Sequence, residues 1–85
     1  MQKYTIEYYN RPNNLKDYYI EGRVNGEEKF VITTHNQEYV EITLCGELIY
    51  SYDKINRSKY HTRNEYKYDI AFDLFMIFSV EKMLD

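Results

Sequence analysis

The chain has 85 residues, a formal net charge of −3, 11 tyrosines, 4 phenylalanines and one cysteine, Cys45. A chain this short forms a single domain, and one cysteine excludes an intrachain disulfide and a zinc site built from four cysteines. The N-terminal residues have no apolar signal-peptide core, and the most apolar stretch, 70–80, is well short of the ~20 residues of a membrane span. We therefore expect a cytoplasmic protein that does not enter a membrane.

Alternation of apolar and polar residues predicts strands in the first half of the chain. A helical pattern follows, which indicates one layer of sheet and one of helix. We predict an α+β fold, a five-stranded antiparallel meander sheet with one C-terminal α-helix packed on one face, in the order β-β-β-β-β-α. The predicted boundaries, within one domain at 1–85, are strands at about 2–9, 16–23, 27–34, 38–44 and 48–53, a basic loop at 53–62 and a helix at about 63–84.

The register of the second and third strands depends on the turn at Val24-Asn25-Gly26. A two-residue turn would place Ile20 and Phe30 on opposite faces of the sheet, whereas a three-residue loop pairs them and keeps the apolar side chains together. We therefore predict the three-residue loop, with Gly26 in the left-handed conformation. The same reasoning predicts loops at 35–37 and 45–47, and the resulting pairs are Ile20–Phe30, Glu21–Lys29, Arg23–Glu27, Ile32–Val40, Phe30–Ile42, Leu44–Leu48 and Ile42–Tyr50.

The residue pattern from about 63 to 84 predicts a long amphipathic helix. Thr62 and Glu65 have the spacing of a capping box, which places the helix start near Arg63. Neither glycine nor proline occurs between that point and Leu84. The apolar face predicted to cover the sheet consists of Ile70, Ala71, Leu74, Phe75, Ile77 and Phe78.

Three surfaces remain once the core is assigned, and each is a candidate contact site. On the open face of the sheet, Tyr19, Val31 and Tyr39 come close together in the predicted register, and Ile49 also points outward. Aromatic patches with charged rims are typical of protein interfaces, although strand propensity alone also explains some tyrosines on a solvated face. The candidates are Tyr9, Tyr19, Glu21, Arg23, Lys29, Tyr39 and Glu41 on the sheet face; Glu65, Asp69 and Asp73 on an acidic helix stripe; and Lys54, Arg57, Lys59, Tyr60, His61 and Arg63 in the basic loop.

The sequence has no pattern that indicates catalysis or cofactor binding. Its three glycines match no nucleotide-binding loop. Cys45 and His35 fall in turns at opposite ends of one predicted strand, too far apart for a nucleophile–base pair. His61 follows the fifth predicted strand, which ends near His35, so the two histidines could approach each other, but two histidines without an acidic cluster fall short of a metal site. We expect no catalytic residues, no cofactor and no metal.

These observations predict a non-enzymatic protein-binding module that acts by covering a partner's surface. A lone small domain rich in Tyr, Asn, Lys and Ile resembles proteins of AT-rich phages and mobile elements, many of which inhibit host or defence enzymes. The expected partner is a larger host or defence protein, such as a nucleic-acid enzyme whose basic groove takes up the acidic helix stripe in an anti-CRISPR-like manner.

Besides a small nuclease or other enzyme that uses His61 with support from Lys and Arg side chains, two alternatives stay open at this point. The first is single-stranded nucleic-acid binding through residues 54–67, whose cations suit phosphates and whose tyrosines suit unpaired bases. The second concerns Met76, Val80 and Met83, which continue the acidic helix stripe with apolar residues. Either an interface with a partner or with a second copy of the chain in a homodimer, or a loop at 10–15 that folds over the helix end, explains them.

Overall fold

The computed structural model describes residues 5–10, 19–36 and 38–78. The strands of this part pair antiparallel, in chain order, in one sheet. The predicted α+β meander with a C-terminal helix on one face is confirmed, with six strands in the described residues where five were predicted. The elements are β1 (Ile6–Asn10), β2 (Tyr19–Val24), β3 (Glu28–His35), β4 (Tyr39–Leu44), β5 (Glu47–Asp53), β6 (Ser58–His61) and α1 (Glu65–Phe78).

The additional strand, β6, lies inside the segment predicted as a basic loop. Asp53 reverses the chain ahead of it, since its carboxylate accepts hydrogen bonds from the backbone N–H groups of Ile55 and Asn56, both at 3.0 Å, and from Asn56 Nδ2 at 2.8 Å. Arg57 completes the turn with a φ of 53°, and β6 then pairs with β5. All the side chains of β6 are exposed, so no alternation of apolar residues marks this strand in the sequence.

The pairing of β2, β3 and β4 differs from the prediction by two residues. Ile20 lies opposite Ile32, not Phe30, and Phe30 lies opposite Gly22. This register leaves Val24 in β2, where it is fully buried, and so adds one apolar side chain to the core. A shift of two residues keeps every side chain on its predicted face. The predicted core residues Ile20, Phe30, Ile32, Val40, Ile42 and Leu44 are accordingly all buried on the helix side of the sheet.

A bulge in β5 reverses the predicted positions of Leu48 and Ile49. The pair Ile42–Tyr50 is as predicted, but the register between β4 and β5 then shifts by one residue. The cause is a two-residue turn at 45–46, in which both residues have positive φ, in place of the predicted three-residue loop. As a result Ile49 is fully buried in the core, whereas Leu48 is half-buried and the predicted Leu44–Leu48 pair does not form.

Helix α1 covers the sheet with four of the six residues of its predicted apolar face, and the side chain of a fifth, Phe78, lies outside the description. Ile70, Ala71 and Leu74 are buried in the core, and Phe75 packs partly buried against it. Ile77 is 49 % exposed, contrary to the prediction. It shares the face of Ile70 but lies about 10 Å further along the helix axis, past the last buried residue of the described helix.

Asn64, not Thr62, caps the helix. Its Oδ1 accepts a hydrogen bond from the backbone N–H of Lys67 at 3.1 Å, the contact that an N-cap residue makes with the third helical residue. Thr62 is buried, and its hydroxyl accepts a hydrogen bond from the backbone N–H of Asn64 at 3.2 Å. The predicted capping box is therefore wrong, and Glu65 is the first helical residue; the predicted helix end at residue 84 lies outside the described residues.

Two polar contacts fix the first turn of α1 over the ends of the β2–β3 and β4–β5 hairpins. The Tyr66 hydroxyl donates a hydrogen bond to Glu28 Oε2 at 2.7 Å, and Lys67 Nζ lies 2.8 Å from Glu47 Oε1. The first contact raises the pKa of Tyr66, and the second raises the pKa of Lys67. Together with the buried apolar residues, these contacts set the orientation of the helix on the sheet.

Candidate functional site

The open face of the sheet carries the predicted sheet-face site, but its aromatic residues do not form one cluster. Tyr19 lies opposite Thr33, whereas Tyr39 lies opposite His35 and stacks on its ring at 6.2 Å. Because of the two-residue shift, Tyr19, Val31 and Tyr39 each lie in a different cross-strand row, contrary to the prediction. The residues that share this face are Tyr19, Glu21, Arg23, Lys29, Tyr39 and Glu41; Tyr9 lies in β1 with its side chain outside the description.

Several polar groups of the open face contact one another. Lys29 Nζ lies 2.5 Å from Glu21 Oε1, although the two residues are diagonal rather than opposite as predicted. The Tyr19 hydroxyl donates a longer hydrogen bond to Glu21 Oε2 at 3.5 Å. Burial, and then a hydrogen bond to Glu41, raise the pKa of Tyr39. These internal contacts offset part of the charge that a partner would meet on this face.

The acidic helix stripe is only partly accessible. Glu65 is exposed, whereas Asp69 and Asp73 are half-buried and each interacts with another group of the chain. Met76, the next residue of the stripe, is 60 % exposed. The stripe in the described part of α1 is therefore mixed, with acidic residues followed by an exposed apolar side chain; Val80 and Met83 lie outside the described residues.

The basic segment, residues 54–63, carries four Lys/Arg and no Asp/Glu, and β6 divides it between the two faces of the sheet. Lys59 and His61 point to the helix side, where Lys59 Nζ lies 5.3 Å from the centroid of the Tyr52 ring. Tyr60 lies on the open face. β6 thus separates Tyr60 from Lys59 and His61, which the prediction placed in one loop. Its remaining members, Lys54, Arg57 and Arg63, are exposed.

An aromatic groove of about 220 Å³ lies between α1 and the strands β5 and β6. Tyr50 and Phe75 form an edge-to-face pair with ring centroids 5.8 Å apart, and His61 and Tyr68 form another at 5.1 Å. Phe72 also lines the groove and is 54 % exposed. The groove thus combines an apolar interior with cationic and imidazole groups from β6. Its lining residues are Tyr50, Lys59, His61, Tyr68, Ala71, Phe72 and Phe75.

Sequence reasoning missed the aromatic groove, although one of its walls left a signal. Tyr68, Phe72 and Phe75 are spaced i, i+4 and i+7, so they are neighbours along one side of a helix. The prediction assigned Phe75 to the core and gave Tyr68 and Phe72 no role. The opposite wall could not be found from the sequence, because it requires β6.

The size and lining of the aromatic groove limit what it can hold. Sites for drug-sized ligands usually measure about 300–1,000 Å³, which is larger than this groove at about 220 Å³. Its volume suits a single apolar or aromatic side chain, or a single base. Lys59 adds a cation at the groove, so a ligand with a negative charge beside its apolar group fits best.

The two histidines do not approach each other, which corrects the prediction. β6 returns along β5, so that His61 lies opposite Tyr50, while His35 lies in the cross-strand row of Ser58. Three strand spacings separate β3 from β6, or about 14 Å at ~4.8 Å each. Within the described residues, no group of three or more His, Cys, Asp and Glu side chains could hold a metal ion.

Comparison of the chain with protein-family models, with curated proteins and with solved structures found no match. No helix in the described part of the chain has the length and hydropathy needed to cross a membrane. The function is therefore inferred from the aromatic groove and the three surfaces described above.

Proposed function

We propose that this protein is a small non-enzymatic protein-binding module that acts by covering part of a partner's surface. The observation that carries the proposal is a row of exposed side chains on α1 that begins at the groove, with Tyr68 and Phe72, and continues beyond it to Met76. Tyr68, Phe72 and Met76 are 42 %, 54 % and 60 % exposed, at i, i+4 and i+8 on one helix. Contiguous exposed apolar residues of this kind mark interaction sites, because leaving them in water is unfavourable.

The groove side of α1 has the composition that protein interfaces favour. Aromatic residues and methionine are enriched in interface cores, and charged residues lie at the rim. Here Phe72 and Tyr68 supply the aromatic centre, and Lys59 and Glu65 supply charges beside it. In the described part of the open face, Tyr19 and Tyr39 lie in separate rows, and Tyr60 lies four strands from Tyr19, so these rings form no such centre. We therefore place the contact on the helix side.

The class of the partner is a second and more specific claim of the proposal. Its support is composition, since a small domain rich in Tyr, Asn, Lys and Ile resembles proteins of AT-rich phages and mobile elements. On that basis the partner is a host or defence enzyme that acts on nucleic acid. Glu65 is exposed at the start of α1 and would meet a basic groove of such an enzyme.

The experiment that tests the proposal is capture of partners from host lysate by three forms of the full chain, followed by mass spectrometry. The forms are the unmodified protein, Phe72→Ser and Ile77→Ser. Ile77 is a matched control, because it is 49 % exposed on the same helix but lies about 140° around the axis from Phe72. We expect one stoichiometric protein that Phe72→Ser loses and Ile77→Ser retains. Equal capture by all three forms, or capture of no protein, would contradict the proposal.

Single-stranded nucleic-acid binding is a second candidate function, and one observation favours it. Lys59 and His61 lie in the groove beside Tyr68 and Phe72, which combines a cation with rings on which a base can stack. Fluorescence anisotropy with a short oligo-dT tests this candidate. Binding through phosphates would weaken steeply between about 50 and 200 mM salt and would be lost in Lys59→Glu. Absence of binding at the lower salt concentration would exclude it.

A further inference from the structure

Strand β6 forms one edge of the sheet. It is the last strand in the sheet order and pairs with β5 on one side, while no strand of the described residues lies on its other side. Half of the backbone N–H and C=O groups of an edge strand point away from the sheet and can pair with another extended chain. All the side chains of β6 are exposed, so a chain that approaches this edge meets no covering element in the described structure.

The charge around this edge selects what can pair with it. The basic segment, residues 54–63, holds four of the 11 Lys/Arg residues and none of the 14 Asp/Glu residues. A second copy of β6 would place these cations, Lys59 of the edge strand among them, close to the same cations of the other copy. The charge repulsion opposes pairing of two copies. An acidic chain would gain from the same charges.

The aromatic groove gives a partner chain an apolar contact beside the edge. Lys59 and His61 of β6 line the groove, and Phe72 is exposed on its helix wall. A strand added to β6 would run about 4.8 Å from it and would direct every second side chain to the helix side. Because β6 itself lines the groove, such a side chain would lie next to it. A volume of about 220 Å³ admits one apolar or aromatic side chain.

We infer that β6 is a docking edge to which an extended, acidic segment of a protein partner adds as a further strand, with one apolar side chain in the aromatic groove. Carboxylates of the segment pair with Lys59, Arg57 and Arg63, and backbone hydrogen bonds to β6 supply affinity that does not depend on side-chain identity. This inference rests on the proposed protein-binding function and names the class of partner segment.

The test is selection from a displayed library of random linear peptides of about ten residues, the length of a strand with its flanks, against the full chain. We expect enriched peptides that carry several Asp or Glu residues and one apolar residue, with an acid two positions from the apolar residue so that both lie on the helix side with Lys59. Addition of one enriched peptide is expected to slow hydrogen exchange of the backbone amides in β6, measured by NMR. A peptide that enters the groove should also shift the ring signals of Tyr68 and Phe72.

Charge-reversal variants show whether the peptide binds at this edge or at another cationic site of the protein. Lys59→Glu is expected to lower the affinity for the selected peptide about fivefold or more, since it replaces a surface ion pair by a charge repulsion. Arg23→Glu is the matched control, because Arg23 is also exposed but lies in β2 on the open face. Its effect on affinity should stay within about twofold, because an exposed charge this far from β6 is largely screened.

Four results with peptides or with the protein alone would overturn the inference. They are enrichment of neutral or basic peptides, failure to enrich any peptide, unchanged exchange of the β6 amides on peptide binding, and a concentration-dependent dimer that protects β6 by itself. Tighter Lys59-dependent binding of oligo-dT than of any peptide would also overturn it, in favour of nucleic acid. If Phe72→Ser still loses a captured protein while β6 exchange is unchanged, the inference fails and the proposed function stands.

Discussion

The rings of His61 and Tyr68 meet edge to face, with their centroids 5.1 Å apart, and this contact joins the edge strand β6 to α1. The backbone N–H of Thr62 donates to the carbonyl of Ile49 at 2.9 Å, and this hydrogen bond fixes the short connection between the two elements. The two walls of the aromatic groove are thus joined by residues close in sequence. The second aromatic pair, Tyr50 and Phe75, joins β5 and α1 across 25 residues of the chain.

Phe72 should contribute little to folding if its role is to contact a partner. Phe72→Ser is expected to lower the free energy of unfolding by about 1 kcal/mol, since half of the ring is already exposed. Leu74→Ala, which empties a fully buried position on the same helix, should cost about 2–5 kcal/mol. Urea denaturation of the two variants provides the measurement. If Phe72→Ser costs as much as Leu74→Ala, the ring is covered within the chain and is not a contact residue.

Because of the bulge in β5, we predict that the neighbouring residues Ile49 and Leu48 contribute unequally to the stability of the fold. Ile49→Ala should lower the free energy of unfolding by about 2–5 kcal/mol, because Ile49 is fully buried. Leu48→Ala should cost clearly less, because Leu48 is only half-buried. Chemical denaturation of both variants under one condition gives the comparison. A larger loss for Leu48→Ala would mean that β4 and β5 pair in the unshifted register of the sequence prediction.

Gly22 is required by the close approach of Phe30 across the strand pair. A Cβ atom at position 22 would lie 2.6 Å from the Phe30 ring and would overlap the carbonyl oxygen of Glu7. Gly22→Ala is therefore expected to lower the free energy of unfolding by about 1–3 kcal/mol, through displacement of the ring and of β1. Thermal unfolding is a suitable measurement.

Gly26→Asn serves as the control for this substitution. Gly26 has a φ of 73° but open space around it, and asparagine tolerates this conformation better than other residues. Gly26→Asn should lower the free energy of unfolding less than Gly22→Ala does. Equal stability of Gly22→Ala and the unmodified protein would contradict the packing of Phe30 over Gly22.

The turn before β6 should depend on pH through Asp53. Hydrogen bonds from the backbone and side chain of Asn56, and from the backbone of Ile55, hold the pKa of Asp53 below its usual value. The ionised carboxylate therefore stabilises the folded state above its unfolded pKa of about 3.9, and this contribution is lost as the pH falls through the lower folded value.

The matched variant for this effect is Asp53→Asn, which keeps the size of the side chain but not its charge. It should unfold at a lower temperature than the unmodified protein near neutral pH, and the difference should shrink at strongly acidic pH. Thermal midpoints measured across the acidic range test this. A difference that stays constant with pH would show that the charge of Asp53 does not support the turn.

The faces of β2, β3 and β4 could be predicted from sequence, whereas their registers, and the faces of Leu48 and Ile49 in the bulged strand β5, could not. Alternation places Ile20, Phe30 and Ile32 on one face whether the strands pair as predicted or two residues away, so a core prediction survives a wrong register. The register depends instead on turn conformations. Cys45 and Arg57 adopt positive φ at 52° and 53°, which their residue types do not signal.

The site was harder to predict than the fold because it depends on elements that lack hydrophobic patterning. β6 has the sequence SKYH and buries none of its side chains, so its strand conformation follows from the preceding turn and from pairing with β5. Without β6, Lys59 and His61 belong to a loop and have no fixed position near α1. When β6 is not predicted, Tyr68 and Phe72 are interpreted as ordinary surface residues, and the groove between them and the sheet cannot be inferred.

The most direct measurement of the central claim, that the groove side of α1 is the contact surface, is the affinity of a captured partner for face-specific variants by calorimetry. We predict that Phe72→Ser weakens binding about tenfold or more, as expected for an aromatic residue at the centre of an interface. Tyr19→Ser, at an exposed aromatic residue on the open face of the sheet, should leave the affinity unchanged. Loss of binding in Tyr19→Ser with full affinity in Phe72→Ser would place the contact on the open face and contradict the claim.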